Sequence, residues 1–327
     1  MSLIKKKLHN NRGIALITVL LIISILIVIT VEFSRSSRAE IYAAAGISDG
    51  IKLIYIAKSG FYAGTTLLSD YLRDYVSLSD EWAQAESLSK KSAGLFPAGY
   101  FAVSIEDEAG KIPLHKLVRG NEYDPAIKEM LIRLLNMPEF ELGERKATEI
   151  VDAIKDWIDT DEIVTGGGAE NSYYAALAKP YSAKNAPLDC IEELLMIKGI
   201  TKELFIGTKK KPGLATFVTV HGDGFININT APSMVLRSLS PQISPAVAEK
   251  MNTHQRSAAD DLSNLLWYQK VPGLEGVTIK PELISIKSNY FKISSSGKMG
   301  TMRQTISGFV KRSVESKSCE IISWRLE

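Results

Sequence analysis

Cysteine is almost missing from this chain: Cys190 and Cys319 are the only two. Two thiols exclude a disulfide framework and a cysteine-rich zinc site, and leave room for one bridge at most. Cys190 lies in an apolar, helix-like run, where a thiol reads as core. Histidine is scarce as well. His9, His115, His221 and His254 are far apart, and none falls in a metal-ligand spacing. An excess of one charge is also lacking. The 39 Lys and Arg against 37 Asp and Glu leave a net +2, which gives no general case for binding nucleic acid or a membrane surface. No P-loop and no H-E-x-x-H occurs. One G-x-S-x-G, from Gly46 to Gly50, has no strand ahead of it, as a nucleophile elbow requires. Ordinary apolar and charged fractions, 45% and 23%, exclude a disordered chain.

What is present begins with an uncharged run of eighteen residues, Ile14 to Val31, behind Lys5, Lys6, Lys7 and Arg12. As a helix it spans about 27 Å, one hydrocarbon core. The basic flank is expected on the cytoplasmic side, with the remainder exported. The stretch "VITVEFSRS" offers no small-x-small site for a secretory cut. Two readings stay open on the residues alone: an uncut signal anchor, or a cut ahead of the apolar run, after Gly13. The helical pattern also outlasts the membrane. Ile41, Ala44 and Ala45, then Ile51, Ile54 and Tyr55, then Leu68, Tyr71, Leu72 and Tyr75 recur three and four apart. Gly46, Gly50, Gly60 and Gly64 weaken such a helix without ending it. A single helix is expected, anchored by its first half and packed on its own domain by its second.

Beyond it, "GYFAVSIEDEAGKIPLHKLV" (99–118) alternates apolar and polar and predicts a hairpin turning near Ala109-Gly110. "DPAIKEMLIRLLNM" predicts a helix with Asp124 as N-cap and Pro125 at its first position. "GERKATEIVDAIKDWIDTD" puts Ile150, Ile154, Trp157 and Ile158 on one face, and "PLDCIEELLMIKGI" reads as a third helix. "ATFVTVHGDGFININTAP" is strand-like. "SMVLRSLSPQISPAVAEKM" and "ADDLSNLLWYQ" return to helix. "SIKSNYFKISSSGKMGTMRQTISGFVKRS" gives two strands around Gly297 and Gly300, and "EIISWRL" a last one. Trp157, Trp267 and Trp324 are assigned to the core, Trp82 to the surface or a partner. Helix between strands predicts an insertion, since the chain leaves a sheet and comes back to it.

"DWIDTDEIVTGGGAENSYY" gathers Asp156, Asp159, Asp161, Glu162 and Glu170 around a glycine run. Such a loop can fold back and aim several hard oxygens at one cation of the calcium type. It lacks the EF-hand spacing, and a solvated acidic helix end is the plain alternative. A glycosidase pair would need two carboxylates across a cleft, and nothing marks one.

Gly13-Ile14-Ala15-Leu16 behind basic residues resembles the prepilin peptidase site of type IV pilins and pseudopilins. In that class the enzyme cuts after the glycine and methylates the new terminus. The resemblance therefore implies cleavage between Gly13 and Ile14 and N-methylation of Ile14. The family's glutamate at the fifth mature position is missing, and Thr18 stands there. The K-type minor pseudopilins of type II secretion share this loss. The segments "DWIDTD", "GAENSYYAALAKPYSAKNAPL", "EELLMIKGI", "FININTA" and "SNYF" are similar to that same group.

The resemblance implies an α+β fold: a pilin-like long N-terminal helix packed on an antiparallel sheet, with a large inserted α-helical domain. Its parts would be a leader (1–13), a transmembrane segment (14–33), a pilin-like core (34–119 and 280–327) and the insertion (120–279). It implies calcium held by Asp159, Asp161 and Glu170, with Asp156, Asn185 and Asp189 as further candidates. It implies no enzymatic activity and no nucleic-acid partner. The expected partners are minor pseudopilins of the I and J types, the major pseudopilin, the prepilin peptidase and the inner-membrane assembly platform. The expected place is the bacterial inner membrane, crossed once, with the N-terminus cytoplasmic and the bulk periplasmic. An uncleaved, signal-anchored periplasmic binding protein and an anchored hydrolase are the competing expectations.

Overall fold

The computed structural model describes residues 12–71, 73–257 and 261–327. The expected leader up to residue 11, Leu72 and the start of "ADDLSNLLWYQ" lie outside the described residues. Helix α1 (Arg12–Ser69) runs 58 residues without a break, about 87 Å at the usual rise. It passes straight through Gly46 and Gly50, so the G-x-S-x-G has no strand before it.

The two halves of α1 differ in what covers them. Ile14, Leu16, Ile17, Leu20 and their neighbours to Val31 are exposed. The polar residues among them do not leave hydroxyls bare. Thr18, Ser24 and Thr30 each donate to the carbonyl four residues earlier, at 2.9, 2.8 and 2.7 Å. That is the arrangement a helix needs where no water is available. From Leu53 onward the helix turns a buried face, Leu53, Ile56, Ala57, Phe61 and Leu68, onto a sheet. Gly60 permits the close approach: a Cβ there would stand 2.7 Å from Cγ of Phe101.

The sheet contains β1 (Tyr100–Asp107), β2 (Tyr290–Met299), β3 (Met302–Ser313) and β4 (Ser318–Leu326), in that spatial order and all antiparallel. Phe101, Val103, Ile105, Phe291, Ile293, Ile306 and Val310 alternate onto the α1 side, as a half-buried sheet requires. Met299 pairs with Met302 across a tight turn in which Gly300 takes φ 58°. Helix α2 (Glu86–Ser92) closes the free edge of β1: Ser92 Oγ accepts from Phe101 N at 3.1 Å and Ser89 Oγ from Val103 N at 2.9 Å. Blocking an edge strand in this way denies it to other chains.

A second hydrophobic core, separate from the first, draws on residues from Ile112 to Ile284. It holds α3 (Pro125–Leu135) and α4 (Glu144–Ile158), with Asp124 capping α3 by accepting from Ala126 N and Ile127 N. The helices Ser233–Leu239 and Pro245–Ser257 join them.

Several expectations are corrected here. The 99–118 hairpin does not form. Asp107 accepts from Ala109 N and starts a turn at Glu108–Gly110, which sends the chain into the second core. There Ile112–Pro113 pairs in parallel with Val218–Thr219. β1 instead pairs with β2, nearly two hundred residues on. The strand-like 215–232 stretch holds only two-residue strands, Val218–Thr219 and Ile226–Asn227. The third helix is a 3-10 segment, Ile191–Met196, and Cys190 before it is exposed rather than core. Both cysteines are free. Described parts of "ADDLSNLLWYQ" form 3-10 turns. Trp82 is buried against Phe291, with ring centroids 5.3 Å apart, and Trp324 on the edge strand β4 is half exposed.

The two cores meet at Asp107. Its buried carboxylate accepts from Ala109 N at 2.9 Å, Ser288 Oγ and Thr230 Oγ1 at 2.6 Å, and Asn227 Nδ2 at 3.2 Å. Asn227 also donates to the carbonyl of Val76 at 3.2 Å. Burial pushes the Asp107 carboxyl up to about 6, against the pull of these donors.

Candidate functional site

The last two turns of α4 carry Asp152 and Asp156, four apart on one helix face, and Asp159 follows three residues on as the C-cap. All three are buried. The glycine run that follows folds back over them. Thr165 N donates to both oxygens of Asp156 at 3.1 Å, and Gly167 N donates to Asp152 Oδ2 at 3.0 Å. Side chains would not fit at this distance: a Cβ on Gly168 would stand 2.8 Å from Cγ of Asp156. Lys198 holds the loop from outside, donating to the carbonyls of Gly167 and Gly168 at 3.0 Å each. Behind the site Trp157 meets Tyr174 edge to face at 5.2 Å.

The fold-back delivers Glu170. Carboxylate oxygens of Asp156, Asp159 and Glu170 come within 4.8 Å of one another, with all three residues buried. Burial and then the carboxylates of Asp156, Asp159, Glu162 and Asp161 push the Glu170 carboxyl up to about 7. Burial likewise raises Asp156 and Asp159 above the ordinary carboxylate range. Lys155 offsets part of this charge, donating to Asp159 Oδ2 and to Thr165 Oγ1 at 2.9 Å. Burial opposes its ammonium, but Asp159 and Asp156 hold its pKa above the usual lysine value.

Several oxygens here have no hydrogen-bond partner among the described residues: Asp159 Oδ1, both oxygens of Glu170, and Asn185 Oδ1. Asn185, at φ 47°, is held beside the group by its amide, which donates to the Asp161 carbonyl at 3.0 Å and to Glu162 Oε1 at 3.1 Å. Buried acceptors without donors are costly. A donor set made only of carboxylate and amide oxygen suits a hard cation, so the residues present fit one.

The other candidates have partners of their own. The Asp161 side chain accepts from Ile163 N at 2.8 Å and shapes the loop. Asp189 is exposed and paired with Lys184 at 2.7 Å. Asp152, Lys155, Thr165 and Lys198 were missed in the sequence, although Asp152 sits four residues before Asp156 on the same helix face. At the other end of the molecule Gly13 and Ile14 lie in the exposed first turn of α1, and α1 is long and apolar enough to cross a membrane.

Residues 110–209, which contain the whole carboxylate group, match the family model for type II secretion system (T2SS) protein K. Proteins named type II secretion system protein K align over nearly the full length. The one from Aeromonas hydrophila is 23% identical, covering 94% of this chain and 95% of its own; that from Pseudomonas aeruginosa is 24% identical, covering 94% and 91%. Over nearly its whole length the chain is similar to type II secretion system protein K. A further K relative, from Klebsiella pneumoniae, is 26% identical over 60% of each chain. The fold is similar to one in the crystal structure of the GspK-GspI-GspJ complex from enterotoxigenic Escherichia coli, with TM-score 0.68, 21% identity, and 87% of this chain and 99% of that one covered.

Proposed function

We propose that this chain is a minor pseudopilin at the tip of the type II secretion pseudopilus, where it helps to start the fibre that drives export across the outer membrane. The observation that carries the reading is the division of α1. One uninterrupted helix has a fully exposed apolar half, Ile14 to Val31, and a half buried on its own sheet. The first half holds the subunit in the inner membrane, N-terminus inside, and later packs among neighbouring helices. Prepilin peptidase cuts between Gly13 and Ile14 and methylates Ile14. At the fifth mature position Thr18 satisfies its hydroxyl within its own helix, so it offers no carboxylate to the amine of a subunit ahead. The second core widens the body, and a bulky subunit fits the end of a thin fibre better than its shaft.

The related GspK is found in a complex with GspI and GspJ, and the same partnership is proposed here. The major pseudopilin would follow beneath, on the inner-membrane assembly platform. In this reading the chain carries out no reaction. Calcium is the cation assigned to Asp156, Asp159 and Glu170, with Asn185 beside them; bound there, it would supply charge neutralisation to the fold-back loop. Co-expression of the full chain with I- and J-type minor pseudopilins, followed by affinity purification from membranes, tests the assignment. All three are expected together; recovery of this chain alone, with both others present in the membrane, would contradict it.

A further inference from the structure

The carboxylate group contains a cation of its own. Lys155 and Asp159 are 5% and 1% exposed, and their ion pair uses Oδ2 of Asp159 while Oδ1 has no partner. Asp159 therefore has one oxygen for the ammonium and one for an ion. Glu170, 1% exposed with both oxygens unpartnered, points to an ion independently of the acidic composition. The charge count follows. Asp156, Asp159 and Glu170 bring three negative charges and Lys155 one positive, leaving two. Asp152 and Lys198 bear on the same glycine loop with opposite signs and offset each other. Glu162 is exposed, Asp161 only partly buried, and water and salt screen their charges. A buried site penalises any charge left over.

We infer that Lys155 sets the charge of the ion this site accepts: with the ammonium in place a divalent cation brings it to neutrality, and without it a trivalent cation does. The inference rests on the cation reading above and adds that one lysine decides the valence. The ammonium would also lower affinity for every cation, so the discriminating quantity is a ratio between ions.

The test uses the full chain in detergent, stripped with chelator and titrated with Ca²⁺ and with Tb³⁺. Terbium emission sensitised by Trp157, next to Asp156 on α4, reports occupancy, and Ca²⁺ competition gives the second constant. In Lys155→Met the preference for Tb³⁺ over Ca²⁺ is expected to rise at least tenfold over the unaltered chain. Lys155→Arg, which keeps the charge, is expected to stay within threefold of it. If the Met variant is unfolded without ions, the Tb³⁺ and Ca²⁺ concentrations that restore its thermal transition give the same ratio. An unchanged ratio in the Met variant overturns the role of Lys155 while leaving the cation site standing. Failure of the unaltered chain to bind either ion overturns the cation reading itself.

Discussion

Asp107 and Glu170 are both buried carboxylates, and the chain treats them in opposite ways. Around Asp107 converge a backbone amide, two hydroxyls and a side-chain amide, all neutral donors. Around Glu170 no described residue donates to either carboxylate oxygen, and the charges that raise its carboxyl are other carboxylates. The first is a finished structural joint between two cores. The second is left with buried acceptors that no described residue satisfies. Burial alone therefore does not mark a binding site; the state of the lone pairs does.

The contrast can be broken most severely at the joint. Asp107→Ala leaves several buried donors without an acceptor and is expected to cost about 4 kcal/mol. Urea unfolding should show the same loss with calcium and with chelator, since no ion is involved; a calcium-dependent loss would erase the distinction. Acid sharpens the same point. The folded Asp107 carboxyl, raised to about 6, holds its proton more tightly than the unfolded one. Its contribution is therefore full below about pH 4 and declines as pH rises through 6, by about 3 kcal/mol at most. Unfolding followed from pH 4 to 7 should show a smaller decline in Asp107→Asn than in the unaltered chain, the remainder coming from Glu170, Asp156 and Asp159, whose carboxyls are also raised.

At the second site the expected effects are conditional. Calcium at a hundred times its Kd is expected to stabilise the chain by about 2.7 kcal/mol, read as a rise in Tm that chelator reverses. Smaller still, and more telling, is Glu170→Gln. Removing one unpaired charge should stabilise the chelated protein by about 1 kcal/mol, while reducing the calcium-induced rise in Tm. A variant that loses stability equally in both conditions would mark Glu170 as an ordinary core residue.

How much of this was legible in the sequence follows from the range of the interactions. The two halves of α1 could be read because each is a local pattern, Ile14 to Val31 without charge and then apolar residues three and four apart. Asp124, Pro125 and the helix after them are equally local. The partner of β1 was not legible: alternation in Phe101, Val103 and Ile105 marks a strand but not its neighbour, and "EDEAG" mimics a hairpin turn while Asp107 uses it to change cores. Asp159, Asp161 and Glu170 stood out, with Asp156 as a further candidate, because a glycine run lies between the helix end and Glu170. Lys155 and Lys198 did not, because a lysine on a helix or before a turn normally faces water, and only the folded loop shows what each one holds. Two of the four tryptophans were misassigned for a related reason, while Trp157 and Trp267 are core as expected. Trp82 lies in a polar stretch yet packs on Phe291, and Trp324 lies in an apolar stretch that forms an open edge.

The proposal as a whole depends most directly on whether the apolar half of α1 is kept with a new terminus. Mass spectrometry of the N-terminal peptide, from full chain co-expressed with active prepilin peptidase, settles this. The expected product begins at a methylated Ile14. A chain still beginning at Met1 or Ser2 would mean a plain membrane anchor, and the assignment to the tip of a fibre would fall.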